Sequence, residues 1–203
     1  MKRSIAPWGL AFLALACACL AAAGQQGEPK LSSTPLTAEQ LAVYRAVLHG
    51  WMENEVRVVN LADITEPVRT SGAMSDEFCA KGLDLEPVSP SLVHRFRAQD
   101  LPQLGSDKIV LVDPEQQAKD IAEKDPERTI GKGRSIEDTA RYRLDHGQVT
   151  LSEIRFSKDH NFAIVAYGFR CGGHCGNGGA AVLEKKDGIW QRKNQCNGWI
   201  SSG

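Results

Sequence analysis

The sequence lacks an excess of basic residues. Its 203 residues include 24 lysines and arginines against 25 aspartates and glutamates, which gives a formal net charge of −1. Removing Lys2 and Arg3 with the N-terminal leader described below leaves a charge of about −3. Proteins that bind nucleic acids usually concentrate lysine and arginine on one face, and no such cluster occurs here. The sequence therefore predicts no nucleic-acid partner.

The sequence also lacks the compact motifs of common enzyme classes. It contains no His-Glu-x2-His zinc site, no Gly-x-Ser-x-Gly element, no Ser-x2-Lys pair and no Gly-x4-Gly-Lys-Ser/Thr phosphate loop. The histidines are scattered, and the cap signal Ser89-Pro90 predicts a short helix that carries His94 into solvent. No aspartate and glutamate form a persuasive acid–base pair. We therefore predict a non-catalytic protein without a cofactor.

Long apolar runs are absent except at the N-terminus. Lys2-Arg3, an apolar stretch over residues 5–23 and the small residues that end it predict a signal peptide at residues 1–23. Pro7 and the small residues argue against a permanent membrane helix. We predict an exported protein, periplasmic or secreted. The alternative is a lipid anchor on Cys17 or Cys19, which would tether the protein to the envelope.

The rest of the chain predicts one α+β domain over residues 37–203, preceded by a flexible polar linker over residues 24–36. Thr37-Ala-Glu-Gln40 has the form of a helix capping box. The residues that follow it recur at helical spacing, which predicts a helix with one buried apolar stripe: Leu41, Tyr44, Val47, Leu48 and Trp51. Core packing is the favoured role of Tyr44 and Trp51, and lining of a ligand pocket is the alternative.

The C-terminal quarter predicts an antiparallel meander on which this helix packs. Short runs of strand-forming residues occur at residues 151–157, 162–170, 180–186 and 189–196. Asp187-Gly188 suits a two-residue hairpin turn between the last two runs. In the first run, Ile154 and Phe156 alternate with Glu153 and Arg155, which predicts that Glu153 faces solvent.

Four cysteines lie beyond the leader: Cys79, Cys171, Cys175 and Cys196. Counting back from the hairpin turn places Cys196 opposite Gly179, so Cys171, Cys175 and Cys196 are expected at one end of the sheet. We favour two disulfides, with Cys171 bonded to Cys175 and Cys79 left to reach Cys196, although sequence alone permits three pairings. The alternative is a metal- or thiol-dependent site formed by Cys171, His174, Cys175 and Cys196.

The same region resembles the C-terminal signature of a family of uncharacterised bacterial exported proteins and lipoproteins. The resemblance covers the last quarter of the chain and rests on five short patterns: Phe156-Ser-x-Asp159, Ala163-x-Val165-x-Tyr167, Cys171-Gly-x2-Cys175-Gly-x-Gly178, Leu183-x-Lys185-x-Asp187-Gly-x-Trp190 and Trp199-x-Ser201. It implies export but no agreed activity, so it identifies no catalytic residue.

The Asp-Gly-x-Trp hairpin after an N-terminal helix is also similar to the last strands of nuclear-transport-factor-2-like and cystatin-like folds. That similarity implies a pocket between the helix and a curved sheet, lined by Tyr44, Trp51, Tyr167 or Trp190. Together these features predict an exported, non-catalytic envelope module. It would bind an envelope or extracellular partner, a glycan or a small ligand.

Overall fold

The computed structural model of the chain describes residues 28–52, 58–68, 79–123, 133, 135–172 and 175–202. The predicted signal peptide, with Cys17 and Cys19, lies outside these residues, as does His174. Trp51 lies in a helix, but its side chain is also outside the described part.

The described residues form an α+β fold, as predicted. The helices are α1 (Ala38–Met52), α2 (Leu101–Leu104), α3 (Pro114–Glu123) and α4 (Ile136–His146), with a 3-10 turn at Ala98–Asp100 before α2. The strands are β1 (Lys30–Leu31), β2 (Val59–Ala62), β3 (Leu92–Val93), β4 (Ile109–Val112), β5 (Gln148–Leu151), β6 (Arg155–Phe156), β7 (Phe162–Gly172), β8 (Cys175–Lys186) and β9 (Ile189–Ser202).

Seven of these strands form one mixed sheet in the order β4-β2-β5-β7-β8-β9, with β6 pairing beside β7. The predicted antiparallel meander is present from β5 to β9. β2, however, runs parallel to both of its neighbours, β4 and β5. β1 and β3 form a separate two-stranded parallel sheet, so part of the predicted linker belongs to the fold.

The capping box predicted before α1 is formed. The Thr37 backbone N–H donates to Gln40 Oε1 at 2.8 Å, and the Gln40 N–H donates to Thr37 Oγ1 at 3.2 Å. These bonds satisfy two donors that a helix start otherwise leaves unpaired. The apolar stripe of α1 is buried in the main core against the sheet, at Leu41, Tyr44, Val47 and Leu48. The predicted packing of helix on sheet is thus confirmed.

The β8–β9 hairpin turns at Asp187-Gly188, as predicted, and both residues have positive φ. Lys186 pairs with Ile189 across the turn. Further along β9, Leu183 faces Arg192 while Val182 faces Asn194, which leaves Lys193 as the extra residue of a β-bulge. Cys196 consequently lies opposite Ala180 and not opposite Gly179.

The bulge at Lys193 decides which face of the sheet receives Cys196. A one-residue shift of register moves every following side chain to the other face. Cys196 therefore joins a small apolar cluster formed by Ile164, Ala180 and Val182, on the face away from α1. The segment that contains Cys79 and Leu83 packs on this same cluster.

Two predicted elements are wrong. The helix expected from Ser89 is absent, because residues 92–93 pair with β1 and the following backbone bonds to Thr65. Here pairing with distant segments outweighs the local cap signal. The continuous strand expected over residues 151–157 is interrupted after Leu151, where the Glu153 N–H donates to the Glu66 carbonyl. Strict alternation fails at this break, and Glu153 is buried.

Candidate functional site

A groove of about 620 Å³ lies between the C-terminal half of α1 and the start of β9. This volume is in the range of about 300–1,000 Å³ that is usual for small-molecule sites. The groove is lined by residues from two segments: Ala42, Arg45, Ala46, His49 and Gly50 from α1, and Gly188, Ile189, Trp190, Gln191 and Arg192 from the hairpin. We call it the α1–β9 groove.

The helix wall of the α1–β9 groove consists of small residues. Ala42, Ala46 and Gly50 are four residues apart, so they form a stripe along one face of α1. The bulky core residues Leu41, Tyr44 and Leu48 lie on a neighbouring face. Because the stripe has so little side chain, the hairpin and the helix leave space between them.

The opposite wall is formed by Trp190 and Ile189. Trp190 is only 6% exposed and packs beside Phe156, with ring centroids 5.9 Å apart. Its Nε1–H has no hydrogen-bond partner among the described residues. Buried indole groups usually find a partner. Ile189, by contrast, is 62% exposed next to the turn. The wall thus combines a buried aromatic ring with an exposed aliphatic side chain.

The rim of the groove is basic. Arg45 and His49 are one turn apart on α1, and Arg192 reaches the groove from β9. Arg192 Nη2 donates to the Val47 carbonyl at 3.0 Å, and its guanidinium lies 5.5 Å from the Tyr167 ring centre. Neither arginine has a carboxylate partner among the described residues. Among the described residues, the lining contains no aspartate or glutamate.

The four aromatic residues predicted to line a pocket have different positions. Trp190 lines the groove, while Tyr167 is buried behind Arg192 and is not in the lining. Burial raises the pKa of Tyr167, and the charge of Arg192 opposes this increase. Tyr44 is a core residue, in agreement with its favoured role. The side chain of Trp51 lies outside the described part of the chain.

The sequence analysis did not identify Arg45, His49 and Arg192 as groove residues. The four-residue spacing of Ala42, Ala46 and Gly50 was the one signal in the sequence of a gap beside the helix.

Tyr44 is fully buried, and its hydroxyl donates to the Ser152 carbonyl at 3.0 Å. Burial raises the pKa of Tyr44 well above its usual range, and the nearby Glu153 charge raises it further. In the unfolded chain the pKa of Tyr44 is about 10, lower than in the folded protein. The contribution of Tyr44 to the free energy of unfolding is therefore complete below about pH 10 and decreases as the pH rises above that value.

We expect Tyr44→Phe to lose less stability than the wild type at alkaline pH. The unfolding free energy of the wild type should fall between about pH 10 and 11 with a slope steeper than that of the variant by up to about 1.4 kcal/mol per pH unit. Urea unfolding at pH 7, 10 and 11 measures both slopes. Equal slopes in the two proteins would show that Tyr44 ionises alike in the folded and unfolded states.

A second polar arrangement lies in the interior of the fold. Glu153 and His94 are both buried, and His94 Nδ1 is 2.8 Å from Glu153 Oε2. A carboxylate oxygen only accepts, so we assign the proton to Nδ1. Glu153 Oε1 accepts from the Thr65 hydroxyl and, at 2.8 Å, from the His94 backbone N–H. This Thr65–His94–Glu153 cluster joins three segments that are distant in sequence.

The cluster corrects the expectations for His94 and Glu153, which were both predicted to face solvent. Glu153 is 5% exposed because the strand breaks beside it, and His94 follows β3 and not a helix. An acid–base pair that the sequence did not suggest therefore exists. Its bonds connect internal segments, and none of its residues lines the α1–β9 groove.

The four cysteines form two disulfides, Cys79–Cys196 and Cys171–Cys175. Cys171, Cys175 and Cys196 were expected at one end of the sheet, but Cys196 lies away from the other two. The partner of Cys196 on β8, Ala180, is five residues from Cys175, or about 16 Å along the strand. β9 continues beyond Cys196 to Ser202, which pairs with Cys175.

The disulfides argue against the alternative of a metal- or thiol-dependent site at the cysteines. Cys171, Cys175 and Cys196 are each in a disulfide, so none is a free thiolate in this structure. Within the described ranges, no group of three or more histidine, cysteine, aspartate and glutamate residues could hold a metal ion. The glycines next to Cys175 have another role, because a Cβ on Gly178 would lie 2.6 Å from Trp199 Nε1. The Trp199 ring covers this bare part of β8.

No helix in the described part of the chain combines the length and the apolar character needed to cross a bilayer. Comparison of the chain with protein-family models, with curated proteins and with solved structures found no match. Its function must therefore be inferred from the geometry of its own residues.

Proposed function

We propose that this chain is an exported, disulfide-stabilised binding module whose ligand occupies the α1–β9 groove. The observation that carries the proposal is the groove itself: about 620 Å³ between a stripe of small residues and Trp190, with basic side chains at the rim. Small-molecule sites typically combine an apolar lining with a few polar groups that orient the ligand. The α1–β9 groove has this composition.

Two further observations support export. The chain has two disulfides, and such bonds persist in oxidising compartments and are rare in the cytosol. The N-terminal residues have the pattern of a signal peptide, and the C-terminal signature resembles that of exported bacterial proteins. We propose that the protein acts in the periplasm or outside the cell, free or lipid-anchored.

We propose a binding role and not a catalytic one, because the described lining of the groove offers no nucleophile with an adjacent base. The polar side-chain groups of this described lining are two guanidinium groups, one imidazole, one amide and the indole N–H of Trp190. Guanidinium groups remain protonated and bind anions well, but they do not act as general bases near neutral pH.

Filling the groove tests this proposal. We expect Ala46→Phe to weaken ligand binding at least tenfold, because the added ring occupies the space between α1 and Trp190. Ala38→Phe is the matched control, since Ala38 is exposed at the start of the same helix and is not in the lining. A thermal-shift screen of anionic, neutral and cationic compounds, followed by calorimetry, identifies the ligands to compare.

The circular dichroism and thermal unfolding of both variants establish that they are folded. If every compound that binds the wild type binds Ala46→Phe equally well, the groove is not the ligand site. The proposed function would then be wrong.

A further inference from the structure

The α1–β9 groove has an electrostatic character that restricts its ligand. Arg45 and Arg192 both line it, and neither is neutralised by a carboxylate among the described residues. Glu39, one turn before Ala42 on α1, is engaged by Lys185 Nζ at 2.8 Å. That bond lowers the pKa of Glu39, so the acid is held as a partner of Lys185. As far as the structure describes its surroundings, the groove therefore presents positive charge without a carboxylate partner.

The two arginines contact the fold in different ways. The side chain of Arg45 passes over Gly105, where a Cβ would lie 2.8 Å from Arg45 Nε. Gly105 has a φ of 85° at the C-terminal end of α2, so a residue without a side chain is favoured there on two grounds. Arg192 is fixed by its bond to the Val47 carbonyl and by the Tyr167 ring. Positioned guanidinium groups lose little conformational freedom when an anion binds.

Apolar surface accompanies this charge. Ala42, Ala46 and Trp190 line the interior of the groove, and Ile189 exposes most of its side chain beside them. A small inorganic anion would satisfy the arginines but would leave this surface in water. An apolar compound would cover the surface but would desolvate the arginines without a partner, which is costly. A ligand with both parts matches the whole lining.

We infer that the α1–β9 groove binds a single-chain amphipathic carboxylate, with the acyl chain along Ala42, Ala46, Ile189 and Trp190 and the carboxylate between Arg45 and Arg192. This inference rests on the proposed function, since it names the ligand class of that groove. Arginine forms two parallel hydrogen bonds with a carboxylate, and this geometry favours it over lysine for such a head group.

Calorimetric titration of the oxidised protein with dodecanoate, below its micelle concentration, tests the inference. The comparison compounds have the same alkyl chain length but a different head group: dodecyl phosphate, dodecyl maltoside and dodecyltrimethylammonium. Acetate has the carboxylate head group without the alkyl chain. We expect dodecanoate to bind at least tenfold more tightly than the maltoside, the ammonium compound or acetate. Raising the salt concentration should weaken its binding, because exposed charges are screened.

Variants connect the binding to the named residues. Arg45→Gln should weaken dodecanoate binding about threefold to fivefold, since an exposed charge pair contributes little. Lys119→Gln removes an exposed positive charge outside the groove and should leave binding unchanged. The indole N–H resonance of Trp190, assigned with Trp190→Phe, should shift on titration with dodecanoate. Ala46→Phe should abolish that shift, and Ala38→Phe should preserve it.

The outcomes separate this inference from the proposed function. If the maltoside or the ammonium compound binds the groove as tightly as dodecanoate, the anionic ligand is wrong and the groove remains a binding site. If dodecyl phosphate binds more tightly, the head-group assignment is wrong. If no dodecyl compound binds, the inference of an amphipathic ligand is wrong. The proposed function then depends on whether other compounds bind the wild type more tightly than Ala46→Phe. Binding of dodecanoate that Ala46→Phe does not weaken would also contradict the inference.

Discussion

Glu153→Ala is expected to lower the free energy of unfolding by about 1–3 kcal/mol, the usual cost of leaving a buried hydrogen-bonding group without its partner. Glu153 is the shared acceptor of the Thr65–His94–Glu153 cluster. Without it, His94 Nδ1 loses its acceptor in a site that water barely reaches, while the Thr65 hydroxyl keeps the His94 carbonyl, at 3.2 Å, as an acceptor. Urea unfolding at pH 7, followed by circular dichroism, measures the difference.

Glu153→Gln is the informative companion variant. Its amide oxygen can still accept from Thr65 and from the His94 backbone, but its NH₂ group cannot accept from His94 Nδ1. We expect a loss smaller than that of Glu153→Ala. Glu115→Ala is the surface control, since Glu115 is exposed on α3, and it should change stability by no more than about 0.5 kcal/mol. A loss below about 1 kcal/mol for Glu153→Ala would show that the cluster contributes little to folding.

Insertion of one alanine between Asn194 and Gln195 is expected to prevent the Cys79–Cys196 disulfide and to cost about 4–5 kcal/mol of stability, because that bond closes a loop with a sequence separation of 117. The insertion shifts the residues that follow it by one position, while the Asp187-Gly188 turn and the bulge at Lys193 hold the start of β9. Cys196 would then lie opposite Gly179, on the face that carries Tyr167 and not on the face that carries Cys79.

Lys193→Ala is the matched control for this insertion. It removes the contacts of the Lys193 ammonium group with Glu184 and with the Phe162 ring but keeps the residue count of β9. The bulge and the disulfide should therefore both persist. Thiol alkylation of the refolded, oxidised proteins, read by mass spectrometry, counts free cysteines: two in the insertion variant and none in Lys193→Ala among the four cysteines beyond the leader. Equal formation of Cys79–Cys196 in both proteins would contradict the role of the β9 register.

Local sequence was enough to predict the elements whose causes are local. The capping box at Thr37 and Gln40, the apolar stripe of α1 and the Asp187-Gly188 turn each depend on residues within a few positions of one another. The last strands could also be predicted, because they are long, rich in strand-forming residues and bounded by glycine. The α+β class came from combining these elements.

The parts that the sequence could not predict depend on contacts between distant segments. Nothing near Glu153 indicates that His94 and Thr65 will surround it, because the three residues meet only after β2, β3 and β5 are in place. Lys193 carries no mark of a bulge, and counting from the turn therefore misplaced Cys196 by one residue. The basic rim of the groove is equally non-local, since Arg45 on α1 and Arg192 on β9 line the same groove.

The position of α1 has a consequence for the order in which the protein can fold. This helix is synthesised early, yet its apolar stripe packs on β7, β8 and β9, which are synthesised last. An unfinished chain therefore leaves part of that stripe uncovered until the final hairpin emerges, while α2, which also packs on α1, is already present. Truncation within β9 should consequently affect the far end of the sequence, because it removes one of the surfaces on which α1 packs.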